Sequence, residues 1–115
     1  MSETLCGKIM RMNHQPTESD WKKFRSIVPV LRERYLQARN TELVAIFEGE
    51  SLTPTEKFWA ASERIEEIGG ILRICLDDHR RSNMIHSLRL MYRHQMVTDE
   101  EVNAFSEEIR GRIAL

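Results

Sequence analysis

From Trp21 onward, apolar residues recur at helical rather than strand spacing. Trp21, Phe24, Val28, Leu31, Tyr35 and Ala38 stand three and four residues apart, the signature of an amphipathic helix. Thr17 with Asp20 three residues later makes a variant of the capping box at its start. Pro29 interrupts the stripe; it has no N–H for the Arg25 carbonyl and crowds that turn, which predicts a kink. Asn40-Thr41 marks a second weak point, after which Leu43, Ile46 and Phe47 resume the spacing until Gly49.

The second helix opens on Thr53-Pro54-Thr55-Glu56. Thr53 caps, Pro54 sits where its missing donor costs nothing, and Glu56 reaches back to the cap amide. Phe58, Ser62, Ile65, Gly69, Leu72 and Leu76 form its expected core face, with Trp59 about 100° away at a rim or an oligomer contact. Gly69-Gly70 costs roughly 1 kcal/mol per glycine within a helix. Close approach by another helix explains one of them, and a hinge is the alternative.

The face of 58–76 does not continue in phase into Met84, Ile85, Leu88, Met91 and Tyr92. A break near 77–83 is therefore expected, with a third helix over about 80–95. Thr98 and Glu101 form a second capping box, and Val102, Phe105, Ile109 and Ile113 give one short closing helix. Residues 1–16 lack clean periodicity and read as a flexible arm. The expected fold is all-α: one domain over 17–115, a compact bundle of four to five helices with a Pro-kinked first helix.

At 115 residues, with 41% hydrophobic and 30% charged residues, the chain has room for a single core. The net charge of −1 gives no global attraction to nucleic acid or an anionic membrane. No apolar run reaches bilayer length, and the N-terminus lacks the apolar stretch of a signal peptide. Cys6 and Cys75 read as reduced thiols of a cytoplasmic protein with no membrane partner.

Charge alternates along the chain. Residues 21–39 hold six Lys/Arg against Glu33, and 42–67 hold seven Glu against Lys57 and Arg64. Residues 73–94 hold five Arg against Asp77 and Asp78, and 99–112 hold five acids against Arg110 and Arg112. Neighbouring antiparallel helices would then carry opposite signs, so the pattern is expected to describe how the chain packs on itself.

Three groups carry candidate chemistry. Cys75, His79 and His86 would share a stripe on a continuous helix and approach a metal or small-ligand set, but the expected break cuts that stripe, and Cys75 reads equally well as core. The connector Asp77, Asp78, His79, Arg80, Arg81 and Ser82 is dense in ionisable groups for a mere turn, and is the candidate binding loop. The third helix presents Ser82, His86, Arg89 and Arg93 opposite Met84, Leu88 and Met91, as a basic face for an acidic partner or a nucleic acid.

No Glu-x-x-His pair, phosphate loop or nucleophilic triad emerges from the spacing, and no cofactor or metal is implied. The expected function is a non-catalytic helical interaction module, a small regulator or adaptor. It is expected to be a homodimer with a protein partner, with Trp59 among its contacts. Nucleic-acid binding through the third helix is the first alternative, and a ligand site near Cys75, His79 and His86 the second.

Overall fold

The computed structural model describes residues 16–113; the arm expected over 1–16 lies outside them except for Pro16. Five helices follow in order: α1 (Glu18–Glu48), α2 (Pro54–Leu76), α3 (Met84–Arg93), α4 (Asp99–Asn103) and α5 (Glu107–Ile113). A single 3-10 turn over Arg81–Asn83 leads into α3, and no strand occurs among the described residues. The fold is an all-α bundle.

α1 starts where the cap predicts: the Thr17 hydroxyl accepts the Asp20 N–H at 3.1 Å. It then runs for 31 residues without interruption, through Pro29 and through Asn40-Thr41. Pro29 and Arg25 lie on the exposed side, where water can replace the lost backbone bond. α2 begins with the full capping box, Glu56 N–H to the Thr53 hydroxyl at 3.2 Å and Thr53 N–H to the Glu56 carboxylate at 2.9 Å.

α2 folds back antiparallel on α1, and three polar ties set the register. Arg32 donates to the Leu76 carbonyl at 3.2 Å, Arg64 donates to Glu42 at 2.8 Å, and Lys57 donates to the Phe47 carbonyl at 2.8 Å. This register turns the line Ala61, Ile68 and Cys75 toward α1, and these residues are buried. It therefore corrects the expected core face: Phe58 is 59% exposed and Ile65 is 52% exposed.

The short helices α3, α4 and α5 cover only the first half of α1. Phe24, Val28, Leu31 and Tyr35 are buried there with Leu76, Met84, Leu88, Met91, Ile109 and Ile113. Each large side chain of this kind contributes about 1.5–3 kcal/mol on burial. Met84, Met91 and Met96 are core residues, so they do not line a binding groove. Beyond Tyr35 no α1 residue is fully buried. The second half of α1 and the first half of α2 form a two-helix arm, and the molecule measures 70 × 21 × 21 Å.

α3 ends in paired bonds from Gln95 N–H to the Tyr92 carbonyl at 3.1 Å and Met96 N–H to the Met91 carbonyl at 2.8 Å. That is a Schellman closure, with Gln95 at φ 61° where glycine is usual. Met91 and Met96, both buried, supply the apolar contact that accompanies it.

The single closing helix expected over 98–113 is instead two, α4 and α5, broken at 104–106. The reason is Asp20. Its carboxylate, on a residue only 3% exposed, accepts the Ser106 N–H at 3.0 Å and the Ser106 hydroxyl at 2.7 Å. The Thr17 hydroxyl adds a third bond at 3.1 Å. Diverting the Ser106 amide to Asp20 ends α4, restarts the chain as α5 and pins both to the start of α1. Replacing Asp20 by Ala removes the charged acceptor of three hydrogen bonds and is expected to cost about 2–3 kcal/mol, with Ser106→Ala costing about 1. Urea unfolding of both variants and their double mutant checks this, with non-additive losses expected.

Candidate functional site

The break over 77–83 is present, and most of its ionisable side chains serve the turn itself. Asp77 caps α2 and sits 3.8 Å from Arg32. Asp78 takes φ 58°, a conformation Asp tolerates, and its carbonyl accepts from the Asn83 side chain at 3.0 Å. The His79 ring donates from Nε2 to the Cys75 carbonyl at 2.8 Å and stands edge-on to Phe24 at 4.7 Å. His79 thus satisfies one open carbonyl at the end of α2, and Arg32 satisfies another.

Arg80 gives its N–H to the Asn83 side chain at 2.8 Å, while its own side chain is exposed. Arg81 reaches the Pro16 carbonyl and the Glu18 carboxylate, each at 2.9 Å, and ties the turn to the start of α1. Ser82 is exposed. These six residues are brought together as a connector whose polar atoms point largely into its own backbone and α1.

Cys75, His79 and His86 are not brought together. Cys75 is fully buried, and burial pushes its thiol up to about 11. His86 is exposed on the far side of α3. Among the described residues no three His, Cys, Asp or Glu side chains stand close enough to hold a metal ion.

Arg89 and Arg93 are exposed beside His86, as the spacing predicts. Among the described residues neither arginine forms an ion pair, and Arg89 donates to the Arg112 carbonyl at 2.8 Å. The pair that does join α1 to the far helices is Arg34 with Glu101, bidentate at 2.8 and 2.9 Å, with Arg34 also donating to the Met96 carbonyl at 2.6 Å. The Arg34 hydrogen bond holds the Glu101 carboxyl down at about 2.

Among the described residues, no element covers one side of the two-helix arm. Leu36, Asn40 and Leu43 of α1 face Ile65, Gly69 and Leu72 of α2 across an apolar groove of about 280 Å³. Phe47, four residues beyond Leu43, and Phe58, seven before Ile65, follow the same helical lines toward the tip, and they are 52% and 59% exposed. Trp59 is 63% exposed and stands edge-to-face with Phe58, ring centres 4.9 Å apart. A Cβ on Gly69 would meet only the end of the Arg73 side chain, at 3.4 Å, and on Gly70 the same side chain at 3.9 Å. The close helix approach expected at these glycines is not made among the described residues.

The arm also changes the meaning of the charge pattern. Antiparallel packing sets the end of α1 beside the start of α2, and both are acidic: residues 40–67 carry seven Glu against Lys57 and Arg64. The remaining described residues carry thirteen Lys/Arg against ten Asp/Glu. Charge is thus segregated along the long axis, acid tip from basic base, and the expectation of oppositely charged neighbouring helices is corrected. Where the two helices do pair, the signs are reversed: Glu42 of α1 takes Arg64 of α2, and these bonds hold the Glu42 carboxyl below its usual range.

No protein-family model, curated protein or solved structure matches this chain. Of the residues singled out from sequence, Trp59 lies beside the uncovered face. Phe47, Leu43 and Ile65 belong to that face but lie on the apolar stripes that the spacing predicts as core, because periodicity cannot tell a face turned to a neighbour from one turned to solvent; Leu36, also on that face, lies on no predicted stripe. Asp20 and Arg34 give no sequence signal beyond a cap position and a basic stretch, since their partners lie far along the chain.

Two measurements check this electrostatic account. Glu101, lowered when folded, stabilises the protein fully above about pH 4.5 and loses that contribution as pH falls toward about 2. Glu101→Gln is therefore expected to cost about 1–2 kcal/mol at pH 7, solvent at the half-exposed Arg34 reducing the full linkage value. That gap should close in thermal melts run down to pH 2. Cys75, in a Cys6→Ser background, is expected to resist iodoacetamide for hours at pH 8 and to react within minutes once urea unfolds the chain, as mass spectrometry would read.

Proposed function

We propose that this chain is a non-catalytic helical protein–protein interaction module, a small regulator or adaptor working through the uncovered side of its α1–α2 arm. The observation that carries the reading is the exposure of Phe47, Phe58, Trp59 and Ile65 on an arm that no other described element covers. Large aromatic side chains in contiguous exposed patches mark association sites. The ionisable groups that do meet, Asp20 with Ser106, Arg34 with Glu101 and His79 with a helix-end carbonyl, act as structural ties.

A photo-cross-linking side chain in place of Ser62, between Phe58 and Ile65, tests this in the cells that make the protein. Discrete protein adducts that fall at least tenfold with Phe58→Ala/Trp59→Ala support the reading, since hot-spot aromatics are each worth about 2 kcal/mol or more. Adducts absent there but formed from position 93, and removed by nuclease, overturn it in favour of nucleic-acid binding through Arg89 and Arg93.

A further inference from the structure

We propose that the pocket between α1 and the α3–α4 loop, where the arm joins the base, binds a phosphate group. It is a different site from the uncovered apolar face: two of its residues, Arg34 and Ala38, stand about 160° around α1 from Leu36.

Arg34, Tyr35, Ala38 and Arg39 make two i, i+4 pairs on one strip of α1. His94, Gln95 and Met96, at the turn that closes α3, complete the wall, and Arg34 ties them to the strip through the Met96 carbonyl at 2.6 Å. These residues line a pocket of about 140 Å³. The hollow depends on Ala38, a lone methyl group between two arginines at the end of the stripe that starts with Trp21. Its volume is the share of roughly five liquid waters at ~30 Å³ each, which suits a phosphorus with its four oxygens.

The lining is rich in donors without partners. The Arg39 guanidinium stands 5.0 Å from the Tyr35 ring centre. Glu42 is 2.9 Å from Arg39 Nε but off its N–H direction, and this buried nitrogen has no hydrogen-bond partner among the described residues. Glu42 is already held by Arg64 at 2.8 and 3.2 Å, which leaves the Nη end of Arg39 open to a ligand. The Tyr35 hydroxyl, the His94 ring and the Gln95 amide also make no hydrogen bond among the described residues, although Tyr35 is only 8% exposed. Groups of this kind take a partner from water or a ligand.

No carboxylate lines the pocket: Glu42 and Glu101, the partners of its two arginines, are not in its wall. An anion therefore meets donors there and no acid. The planar fork of a guanidinium matches two phosphate oxygens. The remaining oxygens of a tetrahedral group can then use the tyrosine hydroxyl and the loop, where a planar carboxylate has none left to offer.

Calorimetric titration of the full chain with inorganic phosphate, glycerol 3-phosphate and acetate tests the site. Both phosphates are expected to bind with a Kd of about 1 mM or below at low salt, the affinity of two or three charge-assisted hydrogen bonds, and acetate at least tenfold more weakly. Arg39→Gln and Ala38→Phe, the latter filling the pocket without changing charge, are each expected to weaken binding at least tenfold. Tyr35→Phe should weaken it about fivefold, with thermal melts confirming that each variant folds. Arg93→Gln removes the same charge outside the pocket and is expected to leave binding unchanged. Tighter binding of the ester than of inorganic phosphate assigns the pocket to a phosphorylated small molecule, and equal binding assigns it to the free anion. Three results overturn the proposal: no heat from either phosphate at 10 mM, binding indifferent to Ala38→Phe, or equal losses from Arg93→Gln and Arg39→Gln. Acetate binding as tightly as phosphate overturns the ligand class.

Discussion

The architecture depends on a mismatch of lengths: α1, at 31 residues, is longer than the elements available to cover it. Its first half lies in a core built with α3, α4, α5 and the end of α2. Its second half has, among the described residues, α2 alone for company. Two helices side by side can bury the line between them but not the faces to either side, so the arm presents apolar surface wherever the sequence places it. That surface follows from Leu36, Leu43 and Phe47 on α1 and Phe58, Ile65 and Leu72 on α2, none of which finds complete cover among the described residues.

The base of the molecule is held by a few long-range polar ties as well as by its core. Asp20 gathers the start of α1 and the α4–α5 junction through three hydrogen bonds. Arg34 joins α1 to the α3–α4 loop through one carbonyl and to α4 through one carboxylate. Arg32 and His79 close the end of α2. These groups account for most of the polar chemistry that stands out in the connector, and they explain why a stretch rich in ionisable residues can be structural. Buried or half-buried hydrogen bonds of this kind fix geometry more than they add stability, because leaving one partner unmatched costs more than forming the pair gains.

The segregation of charge along the arm follows from direction rather than from composition. A net charge near zero conceals an acidic tip and a basic base, because an antiparallel hairpin brings together the segments nearest its turn. Those segments, the end of α1 and the start of α2, are both glutamate-rich. The resulting longitudinal asymmetry is a property a second molecule would sense in choosing its orientation, and it does not depend on any single ion pair.

Local signals in the sequence determined the helices: the Thr17, Thr53 and Thr98 caps, the spacing of Trp21 through Ala38, and the phase jump after Leu76 each appear where short-range hydrogen bonding and periodicity place them. The burial of Cys75, Met84 and Met91, and the exposure of Arg89 and Arg93, were legible for the same reason. Tertiary structure alone decided that Phe58 and Ile65 are uncovered, that the closing helix divides at Ser106, and that Asp20 and Arg34 anchor the base. Periodicity reports that a helix has an apolar side. Which side meets a neighbour depends on register and on the length of the neighbour, and both are set by contacts between residues far apart in the chain.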